Sequence, residues 1–256
     1  MWSCGACCGP LLPPFWPEYG GSKIQNGGFD GDDTLWRSQE FYDQAQLDFE
    51  AIIARYIDLD SAGLRATLLA TERGNLAQYG YGVKGMILSM VEAAIDLTGG
   101  RIEAKDIRTI MDMGKDLLVH PVELLPGIAE AVEQVAKKHR VVLITKGDLF
   151  HQERKVALCG LTEFQRIEIV SEKDAGTYRR LLKEFEVQPQ EFAMVGNSLK
   201  SDIAPVVELG GWGVYMPYHA TWEHELLPEY DGGGRVVEVD GADKISEALE
   251  KMTQGV

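Results

Sequence analysis

Short apolar runs alternate with longer segments of helical periodicity along most of this chain, and that alternation constrains the fold more than any other feature. The clearest run is Val141–Ile144, and Ile167–Val170, Phe192–Val195 and Val214–Met216 are similar. The segments between these runs carry apolar residues three and four positions apart, which is typical of amphipathic helices. A nearly continuous apolar run is typical of a parallel strand covered by helices on both faces. The sequence therefore predicts an α/β fold with a Rossmann-like, doubly wound parallel sheet.

The intervening and following elements are predicted in the same way. The helical pattern predicts helices at Ile128–Lys138, His151–Leu158, Ala175–Phe185, Ile203–Leu209 and Ile245–Met252, and a closing strand at Arg235–Val239. The first strand, Lys23–Phe29, conflicts with the pattern because it is polar and rich in glycine, whereas a central parallel strand is normally apolar.

A helical insertion is predicted between the first and second strands. No strand pattern occurs from Phe41 to about His120, and four segments there read as amphipathic helices: Ala51–Tyr56, Leu64–Leu76, Met86–Leu97 and Ile107–Leu118. We therefore predict a core of residues 23–36 and 122–256, a helical cap of residues 37–121, and a lead-in of residues 1–22 that is disordered or not native to the protein.

Composition limits the possible partners. The 256 residues carry a net charge of -15, which disfavours nucleic acid, and no apolar run approaches the roughly 20 residues of a membrane span. Three of the four cysteines, Cys4, Cys7 and Cys8, lie in the lead-in, where neither a disulfide framework nor a four-ligand zinc site is indicated. No secretory signal pattern is present. We expect a cytoplasmic protein that binds a small molecule, and the sequence leaves its oligomeric state open.

The most unusual local feature is the segment Phe29–Leu35, which reads Phe-Asp-Gly-Asp-Asp-Thr-Leu and places three carboxylates within four residues. Like charges this close repel one another, and a bound divalent cation would relieve the repulsion. An ordinary turn is the alternative, because turns favour aspartate and glycine.

Three further strand ends carry polar residues, and in open α/β sheets ligands bind at this edge. Thr145 and Lys146 follow the second strand, where they could hold a phosphoryl oxygen, although a turn or helix cap would look the same. Lys173 follows the third and could neutralise a phosphoryl group, although a lysine paired with neighbouring acids is the ordinary alternative. The loop Gly196–Asp202 follows the fourth and offers oxygen ligands suited to magnesium, or simply a capped turn.

Together these four signals resemble the ordered motifs of the haloacid dehalogenase superfamily: Asp-x-Asp-x-Thr, then serine or threonine, then lysine, then an acidic loop. Asp30, Asp32 and Thr34 match the first motif, Thr145 the second, Lys173 the third and Gly196–Asp202 the fourth. The resemblance implies a magnesium-dependent phosphomonoester hydrolase that acts on a small phosphorylated metabolite.

By that resemblance, Asp30 is the nucleophile that forms an aspartyl phosphate, and Asp32 is the general acid and base. The Mg²⁺ ligands would be Asp30, the main-chain carbonyl of Asp32, Asn197 and Asp202. The phosphate-binding residues would be Thr145, Lys146 and Lys173.

One match and one departure distinguish this chain within the superfamily. Members that cleave carbon–halogen bonds lack the acid found here as Asp32, so the resemblance disfavours dehalogenation. Many phosphatases of the superfamily have aspartate where this chain has Asn197, which keeps an oxygen ligand but removes one negative charge. A phosphotransferase or phosphomutase of the same fold, or a phosphate-binding protein without turnover, remains an alternative.

Overall fold

Six parallel strands form a single sheet in the computed structural model, which describes residues 24–58, 60–227 and 230–254. The predicted lead-in, with Cys4, Cys7 and Cys8, lies outside the described residues. The order across the sheet is β3-β2-β1-β4-β5-β6, and every neighbouring pair is parallel. The predicted Rossmann-like fold is therefore confirmed. The strands are β1 (Asn26–Phe29), β2 (Arg140–Lys146), β3 (Arg166–Val170), β4 (Phe192–Gly196), β5 (Trp212–Tyr215) and β6 (Val236–Glu238).

The polar, glycine-rich β1 is a central strand after all, because it pairs with β2 on one side and β4 on the other. A Cβ atom added at Gly28 would lie 2.5 Å from the Phe192 ring and 2.9 Å from the sulfur of Met194. Glycine is therefore required where larger side chains of β4 lie across the strand, and the apparent conflict in the sequence is a packing adaptation.

Nine α-helices connect and cover these strands within the described ranges. They are α1 (Gln39–Ile53), α2 (Ser61–Tyr79), α3 (Val83–Leu97), α4 (Ala104–Val119), α5 (Ile128–Ala136), α6 (Leu149–Leu158), α7 (Ala175–Glu184), α8 (Ala204–Glu208) and α9 (Ile245–Gln254). None of the helices that the structure describes is both long and apolar enough to cross a membrane.

Helix α1 differs most from its prediction, since it begins 12 residues before the expected start at Ala51 and ends at Ile53. The Asp33 carboxylate accepts hydrogen bonds from the main-chain nitrogens of Ser38 and Gln39, at 2.8 and 3.0 Å, and so caps the first turn. The early turns of α1 carry polar residues toward the cavity at the carboxyl ends of the strands, which hides their helical periodicity in the sequence.

Separate hydrophobic clusters stabilise the sheet and the inserted helices. Helices α5 and α9 cover one face of the sheet, where Val132 and Leu249 pack with Leu143, and α7 covers the other face. A third cluster lies within the insertion and includes Phe49 and Met90. The inserted helices thus have an apolar core of their own.

The two crossings between the core and the insertion lie side by side. The Arg37 nitrogen donates to the Glu123 carbonyl at 2.9 Å, and the Leu125 nitrogen donates to the Leu35 carbonyl at 2.9 Å. Trp36, which is 1% exposed, forms a further bridge to Leu124. The chain therefore leaves and re-enters the core at one point, above the carboxyl ends of the strands.

Candidate active site

The four sequence motifs meet at the carboxyl ends of the central strands. Asp30 follows β1 and Asn197 follows β4, and these adjacent strands are where the order of the sheet reverses. Ligands of open α/β folds bind in the crevice at such a reversal. Thr145 lies near the end of β2, and Lys173 follows β3. The topology therefore places the predicted residues around one crevice.

A buried lysine joins the first, third and fourth motifs. The Lys173 ammonium donates to Asp30 Oδ1 and also lies 2.6 Å from Asp202 Oδ1. Burial alone would lower the pKa of Lys173, but Asp202 and Asp30 outweigh it and raise that pKa well above its ordinary value. Burial and the neighbouring Asp202 raise the pKa of Asp30 to about 7, against the attraction of Lys173. One ammonium group thus compensates two carboxylates, and the site retains negative charge.

Three oxygen atoms converge beside Asp30 in the manner of a cation site. The side-chain oxygen of Asn197 lies 3.2 Å from the main-chain oxygen of Asp32 and 3.3 Å from Asp30 Oδ2. Thr34 Oγ1 supports the arrangement, because it donates to Asn197 Oδ1 at 3.2 Å and accepts from the Asn197 nitrogen at 3.1 Å. Such a cluster of acceptors is stable with a cation between them, or with the amide rotated so that its nitrogen faces both oxygens.

The donor set fits Mg²⁺. This ion takes oxygen ligands in octahedral geometry at about 2.0–2.1 Å, which places adjacent ligands about 2.9 Å apart, close to the separations found here. Among the described residues no group of three or more His, Cys, Asp or Glu side chains is arranged to hold a metal. The set found here instead uses one carboxylate, one amide and one carbonyl.

Asp202 lies beside this oxygen cluster but is already engaged. Its Oδ1 accepts from Lys173, and its Oδ2 accepts from the Ser198 main-chain nitrogen at 2.9 Å. A Cβ atom at Gly196 would lie 2.3 Å from Asp202 Oδ2, so the glycine of the fourth motif makes room for this carboxylate. Its assignment as a metal ligand stays a prediction; in this structure it orients Lys173.

The Asp32 side chain is held by a set of donors that sequence reasoning missed. Lys155 Nζ and Trp36 Nε1 both lie 2.6 Å from Asp32 Oδ1, and Gln152 Nε2 lies 2.9 Å from Oδ2. Burial opposes ionisation of Asp32, but Lys155 and the hydrogen bonds from Gln152 and Trp36 lower its pKa below the ordinary value. In this arrangement Asp32 is ionised, which is the form a proton acceptor needs, but the same donors lower its basicity.

Thr145 provides an unused hydrogen-bonding group in the crevice. Its side chain is 1% exposed, and its Oγ1 has no hydrogen-bond partner among the described residues. A buried hydroxyl without a partner lowers the stability of the folded protein unless a ligand supplies the missing hydrogen bond. Gly31 is required beside it, because a Cβ atom there would lie 2.9 Å from Thr145 Oγ1. The hydroxyl fits the predicted role of binding a phosphoryl oxygen.

Lys146 is engaged more fully than the sequence suggested. Its ammonium lies 2.7 Å from Glu225 Oε1 and 3.1 Å from Ser201 Oγ, and it stacks on the Tyr81 ring at 4.0 Å. Glu225 also accepts from the hydroxyls of Ser198 and Ser201. Burial opposes ionisation of Glu225, but Lys146 and these hydroxyls lower its pKa to about 2. Phosphate binding by Lys146 stays a prediction, and it would require exchange of this ion pair.

The insertion covers the crevice and completes a cavity with about 200 Å³ accessible to water. Tyr81, on the link between α2 and α3, donates to Glu172 of the core at 2.7 Å, and Lys84 forms an ion pair with Asp148 at 3.0 Å. The inserted helices line the roof of the cavity with residues that include Tyr42, Gln46, Glu72, Asn75, Leu76, Tyr79, Met86, Ser89 and Met90.

Comparison with known proteins agrees with this geometry. A family model for haloacid dehalogenase-like hydrolases matches residues 28–210. A crystal structure of a haloacid dehalogenase-like family hydrolase from Xanthomonas campestris is 48% identical, covers 91% of this chain and 94% of its own, and superposes with a TM-score of 0.81. No curated protein matches the chain significantly.

More distant structures share the fold alone. A 2-haloacid dehalogenase from Pseudomonas syringae is 18% identical, with a TM-score of 0.58 and coverage of 89% of this chain and 99% of its own. A predicted phosphoglycolate phosphatase from Haemophilus somnus is 15% identical, with a TM-score of 0.59 and the same coverage. From the family match, the 48% identical structure and the site geometry, we conclude that the chain belongs to the haloacid dehalogenase-like hydrolase family.

Proposed function

We propose that this protein is a magnesium-dependent phosphomonoester hydrolase that acts on a small phosphorylated metabolite through an aspartyl phosphate on Asp30. The observation that carries the proposal is the unpartnered, buried hydroxyl of Thr145, which lies in one crevice with Lys173 and with the oxygen cluster of Asp30, Asp32 and Asn197. These groups together offer a hydroxyl donor, a buried ammonium and a cation site to a phosphoryl dianion.

Each residue has a defined part in the first half of the reaction. Thr145 donates a hydrogen bond to one phosphoryl oxygen, and Lys173 attracts another while it orients Asp30. A carboxylate oxygen of Asp30 attacks phosphorus, a new oxygen–phosphorus bond forms, and the bond from phosphorus to the ester oxygen breaks. The ester oxygen leaves with a proton from Asp32. Asp30, the Asp32 carbonyl and Asn197 would hold Mg²⁺, which when bound lowers the repulsion between phosphate and the carboxylates.

Asp32 regains its proton in the second half. A water molecule attacks the phosphorus of the aspartyl phosphate, gives its proton to Asp32 and releases Asp30 and inorganic phosphate. The donors around Asp32 keep it in the ionised form that can accept this proton, although they also lower its basicity. Protonation for the first half requires that Asp32 leave Lys155, so we assign Lys155, Gln152 and Trp36 to positioning Asp32 between turnovers.

The charges in the cavity support phosphate chemistry over dehalogenation of a 2-haloacid. A haloacid carries a carboxylate, which needs a cation to bind. Among the described residues that line the cavity, both lysines are already paired with carboxylates and no arginine is present. Burial lowers the pKa of His151 to about 4, so that ring is neutral. A phosphoryl group attacked by Asp30 meets the Mg²⁺ site, Thr145 and Lys173. A haloacid would present a neutral carbon to Asp30 and place its carboxylate elsewhere in the cavity, where the described lining residues offer no unpaired cation.

Hydrolysis of 4-nitrophenyl phosphate and a panel of phosphorylated metabolites, with Mg²⁺ or with chelator, tests the proposal. The wild type and Asp43→Asn should release phosphate only with Mg²⁺, and Asp30→Asn should release none. Asp43 is a suitable control because it lines the same cavity, but its carboxylate accepts a hydrogen bond from Gln39 at 2.8 Å and has no contact with the motif residues among the described residues. Release of halide from 2-haloacids without metal would contradict the proposal, and transfer to an alcohol instead of water would identify a phosphotransferase.

A further inference from the structure

One carboxylate in the roof of the cavity has no partner among the described residues. Glu72 lies on α2, on the face that also presents Asn75, Leu76 and Tyr79 to the cavity, as expected for positions three, four and seven residues apart. In the part of the chain that the structure describes, no cation or hydrogen-bond donor contacts Glu72. Asn75 fixes this face of α2 against α3, because its amide nitrogen donates to Ser89 Oγ at 3.1 Å.

Every other acidic side chain that the structure describes in the cavity has an ion-pair or hydrogen-bond partner. Asp30 and Asp202 share Lys173, Asp32 binds Lys155, and Glu225 binds Lys146. The remaining three are also bound: Asp33 accepts from two main-chain nitrogens, Asp148 pairs with Lys84, and Asp43 accepts from Gln39. Glu72 therefore differs from these acids in having no such partner among the described residues, and it lines the same cavity as the motif residues of the sheet edge.

The environment of Glu72 is unfavourable to an isolated charge. Burial alone raises its pKa to about 7, since no neighbouring group opposes the effect. A half-buried carboxylate of this kind is relieved by a cation that donates a hydrogen bond to it. Tyr42 and Tyr79 line the same cavity and offer aromatic surface, which also attracts cations.

We propose that Glu72 binds a protonated amine of the substrate, so that the preferred substrates are phosphomonoesters whose alcohol carries an ammonium group. This inference rests on the proposed phosphatase function. The cavity then binds an anion at one end and a cation at the other. The motif residues at the sheet edge bind the phosphoryl group, and Glu72 on the cap binds the ammonium group. A distal carboxylate would meet Glu72 and no free cation, so we expect acidic phosphate esters to be poor substrates.

A matched series of alkyl phosphates tests the inference. The chains have two to six carbons, and the distal carbon carries an ammonium, a methyl or a carboxylate group, so that the unknown reach to Glu72 is covered. We compare kcat/KM for the wild type, Glu72→Gln, Glu72→Lys and the control Glu103→Gln. Glu103 is an exposed cap glutamate, paired with Lys105 and outside the cavity.

We expect the wild type and Glu103→Gln to prefer the ammonium series. Glu72→Gln should reduce kcat/KM for the best ammonium substrate by roughly 10- to 100-fold, the worth of one hydrogen bond between charged groups, with a much smaller change for the methyl series. Glu72→Lys should shift the preference toward carboxylates. Thermal unfolding of each variant shows whether it is folded.

Three results would overturn the inference. If the wild type hydrolyses methyl or carboxylate substrates with the same kcat/KM as ammonium substrates, the proposed phosphatase function stands but the role of Glu72 is refuted. An equal loss on all three series in Glu72→Gln has the same meaning. A wild type that hydrolyses none of these esters, nor 4-nitrophenyl phosphate, refutes the proposed function, and the inference falls with it.

Discussion

Replacing Thr145 with valine should raise the free energy of unfolding of the free protein and lower the kcat/KM of the enzyme. The two side chains have the same shape, and both suit the strand β2 in which residue 145 lies. In the wild type the hydroxyl is 1% exposed and has no partner among the described residues. A valine methyl group in its place removes a buried polar group that the folded protein does not satisfy.

The magnitude follows from the cost of that group. A buried hydroxyl without a partner costs about 1–3 kcal/mol, and local relaxation recovers part of it. We therefore expect Thr145→Val to raise the free energy of unfolding by about 1 kcal/mol, which corresponds to about 2–4 °C in Tm for a chain of this size. The lost hydrogen bond to a phosphoryl oxygen should lower kcat/KM by roughly 10- to 100-fold.

Thr98 provides a matched control. It is also fully buried, but its Oγ1 donates to the Ala94 carbonyl at 2.8 Å and accepts from the Ile102 nitrogen at 3.1 Å. Thr98→Val breaks both bonds, so it should lower the free energy of unfolding by about 1–3 kcal/mol and leave kcat/KM unchanged.

Thermal unfolding followed by circular dichroism, with and without inorganic phosphate and Mg²⁺, measures both effects. Phosphate should raise the Tm of the wild type more than that of Thr145→Val. A Thr145→Val variant that loses stability and keeps its activity would refute this role, because the hydroxyl would then have a structural partner and no part in binding phosphate.

Three further predictions concern the same site. Asp30→Asn should abolish hydrolysis at nearly constant volume while the circular dichroism spectrum stays native; measurable turnover would exclude Asp30 as nucleophile. Gly31→Ala should lower the free energy of unfolding by about 1–3 kcal/mol, because its Cβ would lie 2.7 Å from the Trp36 ring, and denaturation in urea that matches wild type would contradict this. Glu225→Gln should lower the free energy of unfolding by about 3 kcal/mol at neutral pH. The reason is that the Lys146 ion pair and the hydroxyl donors outweigh burial and lower the pKa of Glu225 from 4.5 to about 2. The folded-state pKa is the lower one, so this stability is present above about pH 4.5 and lost as pH falls toward 2; a cost that did not shrink in acid would refute the assignment.

The sheet and the motif residues could be predicted from the sequence because both depend on local patterns. Apolar runs defined the strands, and the carboxyl ends of parallel strands necessarily share one edge. Asp30, Thr145, Lys173 and Asn197 therefore met as expected, although up to 167 positions separate them along the chain. Gly28 of β1 misled the strand prediction, because the reason for a glycine there is the Phe192 side chain on a neighbouring strand.

The residues that surround Asp32 and the cavity could not be predicted in this way. Lys155 lies 123 positions from Asp32, and on its own helix it resembles any basic side chain. Glu225 lies in a loop without periodicity, and its role depends on Lys146, 79 positions away. Glu72 looks like a solvated glutamate of an amphipathic helix until the fold places it above the crevice. Long-range contacts decide all three, and no local signal records them.

The central claim is that phosphorus is attacked by Asp30, and trapping of the phosphoenzyme tests it most directly. The wild type is mixed with substrate and Mg²⁺, quenched in acid within the first turnover and digested, and the peptide that contains Asp30 is analysed by mass spectrometry. We predict one added phosphoryl group on Asp30, and none in Asp30→Asn or in chelator. Hydrolysis that proceeds with no phosphoryl group on Asp30 at any quench time, or with the group on another residue, would contradict the account.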